Sequence, residues 1–169
     1  MDGLLLQLLD DKQGSHGLRF WRCFGPLRST FNRYYWIFPW QPWMACPAGF
    51  DHERDSADFQ SGGKTTTSIC LWHPGAIGRW ADQFWEEQIE LWAAKPSQDP
   101  ARLASEFGRT CQEHAFIEEH AEVWLICSNF TCWKIFTRYD FLLKKIRDHL
   151  QGNATIRVYK SNSKDRGPA

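Results

Sequence analysis

The sequence predicts an α+β fold, an antiparallel or mixed sheet covered on one face by helices. Three observations carry that expectation. Aromatic and β-branched runs of strand length recur at residues 34–38, 65–71 and 123–127. Amphipathic stripes with helical spacing occupy residues 78–94 and 138–150. With 169 residues the chain is long enough for one domain with a real core, and helices set between such strands need a sheet to lie on.

In chain order, residues 1–17 form a poorly determined N-terminal segment. Leu4-Leu5-Leu6 and Leu8-Leu9 make a turn of helix at most before the loop chemistry of Asp10 to Ser15. The leucine cluster is too short to span a bilayer and lacks a basic leader, so no signal peptide or membrane helix is expected. A cytoplasmic protein is expected, with the nucleus as a second location. Phe20, Trp21, Phe24 and Leu27 then share one face of a short helix over residues 18–27, whose second turn Gly25-Pro26 compromises.

The densest stretch follows. Residues 34–43, Tyr-Tyr-Trp-Ile-Phe-Pro-Trp-Gln-Pro-Trp, hold six aromatics and two prolines in ten positions. The first half suits a strand; Pro39 and Pro42 each remove a ladder donor, so the second half is expected to be a rigid loop. Such a loop either plugs the core or presents a flat indole to a flat ligand. Residues 48–63 are polar and acidic and end in Ser61-Gly62-Gly63, a turn before the strand closed by His73-Pro74-Gly75.

The stripe of Ala81, Phe84, Trp85, Ile89, Trp92 and Ala93 marks residues 78–94 as the best helix, with Pro96 beyond its end. Asp99-Pro100 is an N-cap and first helical residue for a short helix toward Phe107. After an ambiguous stretch comes the strand at 123–127, the second arm of a hairpin. Tyr139, Leu142, Leu143, Ile146 and Leu150 line a helix stopped by Gly152, and residues 154–160 point Ile156 and Val158 inward. Residues 18–161 thus form the domain and 162–169 a polar tail.

Lys plus Arg equals Asp plus Glu at 20 each, which excludes a global basic field for holding polyanions; any nucleic-acid contact must be local. The six cysteines lack a framework spacing and are expected to be reduced and packed. His120-Ala-Glu122 with Cys127 and Cys132 invites a zinc deaminase reading, but the cysteines have four residues between them and lack the preceding proline. A metal-dependent enzyme is therefore the weakest alternative. Gly62-Gly63-Lys64-Thr65 lacks the earlier glycine of a phosphate loop. No nucleophile with a nearby base presents itself, so binding rather than catalysis is expected, with no cofactor and no metal.

The remaining signals are ordered: Phe20-Trp21 and Phe24, Tyr35-Trp-Ile-Phe38, Pro42-Trp43, Gly62-Gly63-Lys64, Phe84-Trp85 and Ile89, Glu122-Val-Trp124, and Tyr159-Lys160-Ser161. In that order the chain resembles the messenger-RNA cap-binding family of translation initiation factor 4E, leaning slightly to its repressor branch. The resemblance implies a curved antiparallel sheet with about three helices on its convex back and a cap slot on the concave face. It implies translation initiation or its regulation, with capped messenger RNA as ligand. Trp43 would be a stacking tryptophan, and Trp124 would lie near the methyl group. His114 and His120, with Lys164 or Arg166 of the tail, would stand near the triphosphate. Trp21 and Glu87 would match the dorsal site that receives a helix of initiation factor 4G or of a 4E-binding protein.

The departures are specific. Met44 stands where the family has a glutamate after the stacking tryptophan, and no aromatic residue precedes Phe20 to supply the second wall. Glu86 and Glu90 stand where partner-contacting leucines are expected, and Gly17 replaces a valine. The alternative is therefore a degenerate relative without cap binding that serves as a protein interaction module.

Overall fold

The structure, a computed structural model, describes residues 1–8, 18–40, 49–60, 68–83, 88–128 and 132–159. Its strands are β1 (Asp2–Leu8), β2 (Tyr35–Trp40), β3 (Ser56–Gln60), β4 (Ser68–Trp72), β5 (Gln88–Ala94), β6 (Val123–Ser128), β7 (Cys132–Thr137) and β8 (Ala154–Tyr159). They form one open, curved antiparallel sheet in the order β3-β4-β2-β5-β6-β7-β1-β8. The helices are α1 (Leu18–Phe24), α2 (Arg28–Phe31), α3 (His52–Asp55), α4 (Ala76–Trp80), α5 (Pro100–Phe107), α6 (Glu113–His120) and α7 (Asp140–Leu150). The fold is therefore α+β. No helix among the described residues is long and apolar enough to cross a membrane.

Period-two alternation splits the core into two layers. One face of the sheet sends Leu4, Leu6, Trp36, Leu125 and Ile135 against α1, α2, α4 and α7. The other sends Ile37, Leu71 and Trp92 against Leu103 and Phe107 of α5 and Ile117 of α6. Helices thus lie on both faces, where the sequence predicted one. The cause is that central strands such as β2 carry large apolar residues on both sides, Trp36 and Ile37 both being fully buried, and a face of that kind has to be covered.

Several elements differ from expectation for the same reason. Residues 2–8 are no helical turn but an interior strand between β7 and β8. The expected helix over 78–94 divides: α4 and a 3-10 turn at Ala81–Gln83 occupy its start, and β5 its end. Glu90 consequently stands on a strand, not on a dorsal helix. Within 48–63, α3 and β3 replace loop. Pro39 lies inside β2, at a point where only β4 is paired to it, so its missing N–H costs no ladder bond to β5. β6 is the first arm of its hairpin, not the second, with β7 following. Val158, expected inward, is 52% exposed.

Other readings hold. Asp99 caps α5, its carboxylate accepting from the Arg102 N–H at 3.3 Å. The stop at Gly25-Pro26 appears as a 3-10 turn between α1 and α2. α7 buries Leu142, Leu143, Ile146 and Leu150 as its stripe requires.

Two polar clusters brace this frame. Asp55, fully buried, accepts from Arg54 Nη2 and Arg79 Nη2, each at 2.6 Å, and from Trp80 Nε1 at 3.0 Å, tying α3 to α4. At the same end of the strands, beyond β2, Lys95 Nζ lies 3.0 Å from Glu122 Oε2 and 2.7 Å from the Tyr139 hydroxyl, which itself donates to Glu122. The Tyr139 and Glu122 hydrogen bonds raise the Lys95 ammonium above its ordinary value. A lysine held charged in this way is a brace between β5, β6 and α7, not a base.

Candidate nucleic-acid interface

The two halves of the second face are covered differently. α5 packs on β3 and β4, and α6 lies beside α5. Over β7, β1 and β8 no described helix covers that face. Register then decides which side chains it presents.

One cross-strand row runs Trp92, Trp124, Phe136, Gly3, Tyr159, each residue directly opposite the next. Trp124 and Phe136 have ring centroids 5.1 Å apart, and Phe136 and Tyr159 6.5 Å. Gly3 makes that second approach possible. A Cβ at Gly3 would lie 2.4 Å from Phe136 Cδ1 and 2.8 Å from the Ile135 carbonyl oxygen, so the Phe136 ring occupies the space over β1 that a side chain would fill. The next row, two residues along each strand, runs Glu90, Ile126, Lys134, Leu5, Arg157. An aromatic row and a row ending in two cations therefore lie side by side, about 6.7 Å apart.

At the covered end of the aromatic row, Trp124 is only 6% exposed. Its indole N–H donates to Glu90 Oε1 at 2.7 Å. The His114 ring, from the first turn of α6, sits 5.2 Å from Trp124 at 53°, and its Nε2 is 3.7 Å from the same Glu90 oxygen. Burial raises the Glu90 carboxyl above its usual range, opposed by the Trp124 hydrogen bond and by His114. Glu90 Oε2 has no hydrogen-bond partner among the described residues.

Of the residues singled out from the sequence, His114 and Trp124 meet here. His120 does not join them. Its ring packs on Phe116 at 4.4 Å, its carbonyl accepts from Gln98 at 2.9 Å, and its Nε2 is 3.9 Å from Glu119. Trp21 is half-buried on α1 with the Arg28 guanidinium 5.0 Å over its ring, so a helix docking there would first displace that cation. Trp43, Glu87, Lys164 and Arg166 lie outside the described residues, as does Met44.

Phe136, Lys134 and Arg157 had no place in the sequence reading, and Glu90 entered it only as an obstacle. Their signal was the alternation of Cys132-Trp-Lys-Ile-Phe-Thr137, which puts Lys134 and Phe136 on one side. No group of three or more metal-ligating side chains occurs among the described residues. The Cys23 thiol is pushed up to about 12 by burial and is no nucleophile at neutral pH.

Comparison with known proteins returned no matching family model, no matching curated protein and no matching solved structure. The likeness to the cap-binding family therefore rests on the motif series alone.

Proposed function

We propose that the chain binds the 5′ end of messenger RNA, taking the cap base against Trp124 and Glu90, in translation initiation or its regulation. The observation that carries this reading is the His114 ring resting on Trp124 beside a half-buried carboxylate. A flat heterocycle already lies against that indole, and its side chain is 72% exposed, so another flat heterocycle displaces it at small cost. Seven-methylguanine is a flat cation. Stacking on an indole is worth about 0.5–2 kcal/mol, and Glu90 Oε2, which has no partner among the described residues, accepts from the amide edge of the base as a charge-assisted bond. Glu90 thereby supplies the acceptor that Met44 does not, and the ordered motif series supports the translational setting.

Titration with 7-methylguanosine triphosphate, followed by tryptophan fluorescence, is expected to give saturable quenching below about 1 mM ligand, a binding free energy of about −4 kcal/mol. Glu90→Gln is expected to weaken it about ten- to a hundredfold, the loss of a hydrogen bond to a charged group. No quenching of the folded protein, or equal affinity in Glu90→Gln, contradicts the reading.

The competing role of a protein interaction module has one observation in its favour. Phe141 and Val158 are 54% and 52% exposed and line a groove with Leu4, Lys144 and Arg147 between α7 and the β1–β8 edge. Cap binding that survives every change in that groove separates the two.

A further inference from the structure

We infer that the outer half of this face, over β7, β1 and β8, where no described helix lies, is a separate site for single-stranded nucleic acid, with one unpaired base on Phe136, a second on Tyr159, and the phosphates along Lys134 and Arg157. The site stands apart from the cap reading, since it uses neither Trp124 nor Glu90.

Geometry selects the ligand. The Phe136 and Tyr159 rings are 6.5 Å apart and inclined by 48°, too far and too tilted to stack face to face on each other. Phe136 also pairs with Trp124, at 5.1 Å and 37°, and keeps part of its ring open toward β8, whereas among the described residues Tyr159 has no ring partner other than Phe136. Tyr159 is 43% exposed, an unusual place for an aromatic ring on an edge strand, and Phe136 is only partly buried. Aromatic side chains on an open sheet face take two or three successive bases in this manner, and stacking tolerates any sequence because every base has a π-face.

Charge placement fits the same ligand. Lys134 and Arg157 flank Leu5 in the neighbouring row, within reach of a backbone whose bases lie on the aromatic row. Over β7, β1 and β8 that row carries no acidic residue, and Glu90 stands at its far end, two strands beyond Lys134. With a net charge of zero the chain has no general attraction for polyanions, so two well-placed cations are what a local contact would use. A duplex does not satisfy the site, because its bases are stacked on one another and present no free face to Phe136 or Tyr159.

The experiment is fluorescence anisotropy with uncapped twelve-nucleotide RNA and DNA single strands, and with the corresponding duplexes, at about 50 mM salt. Single strands of either sugar are expected to bind saturably and the duplexes to bind more weakly. Tyr159→Ala, at an exposed edge position, is expected to lose about 5- to 150-fold in affinity. Arg157→Ala is expected to flatten the slope of log affinity against log salt by about 0.7. Phe141→Ala, an exposed aromatic on the opposite face, is expected to bind as the unaltered protein does. Duplex binding equal to single-strand binding overturns the proposal, as does unchanged affinity in Tyr159→Ala. Because the oligonucleotides carry no cap, failure of the cap titration leaves these outcomes untouched, and the reverse holds as well.

Discussion

Asp55→Ala is expected to lower the unfolding free energy by about 3 kcal/mol, the largest effect of any single polar change outside the sheet. Arg54 and Arg79 are half-exposed and return to water when the carboxylate is removed, so they leave no buried charge behind. Trp80 Nε1, buried in the core, has no such recourse and becomes an unsatisfied donor. That desolvation, about 1–3 kcal/mol, adds to the charge-assisted hydrogen bonds that disappear. Urea denaturation measures the difference, and Asp55→Asn, which keeps an acceptor, is expected to lose less. The same carboxylate sets an acid limit. Its hydrogen bond from Arg54, and further bonds from Arg79, the Asp51 N–H and Trp80, hold it well below the usual carboxylate range, against the opposing effect of burial. A depressed folded-state value contributes stability that is complete above the unfolded value of about 3.9 and is lost as pH falls through the folded one. Unfolding free energy is therefore expected to decline below about pH 4 in the unaltered protein, and to decline less in Asp55→Ala.

Gly3→Ala is expected to cost about 1–3 kcal/mol and to abolish stacking at Phe136. The new Cβ meets two atoms of different kinds. Phe136 Cδ1 belongs to a ring that swings aside at the cost of its place in the row. The Ile135 carbonyl oxygen belongs to the β7 backbone, which moves only with the ladder, so overpacking there is not relieved by a rotamer change. Two results follow together. The midpoint of urea unfolding falls, and affinity for a single-stranded oligonucleotide falls to the level of Phe136→Leu. Combining Gly3→Ala with Phe136→Leu relieves the ring contact, so the double variant is expected to be more stable than the sum of the singles by an interaction energy of at least about 0.5 kcal/mol.

The legible parts of the fold were those with local punctuation. Asp99-Pro100 opens α5, the Tyr139-to-Leu150 stripe forms α7, and Val123-to-Cys127 is too short and too apolar for a surface helix. What escaped was burial on both faces. In β1 the run Leu4-Leu5-Leu6 hides its period, because Leu5 is apolar although it points away from the layer that buries Leu4 and Leu6. In β5, Ile89, Leu91 and Ala93 alternate with Glu90, Trp92 and Ala94, yet the large residues also match a helical spacing that continues from Ala81. Short apolar runs leave that choice to tertiary pairing. The candidate site shows the same limit. Trp124 and His114 were reached through the motif series. The row joining Phe136 to Tyr159 across Gly3 exists only once residues 3, 136 and 159 are in register, and no local pattern encodes that alignment.

The central claim is that nucleic acid lies on the sheet face over β7, β1 and β8, which no described helix covers. Ultraviolet crosslinking of an uncapped single-stranded RNA, followed by mass spectrometry of the adduct peptides, tests it directly. Crosslinks at Phe136 and Tyr159, reduced in the presence of excess unlabelled single strand, are the predicted result. Crosslinks confined to α7 and Phe141 on the opposite face would contradict it.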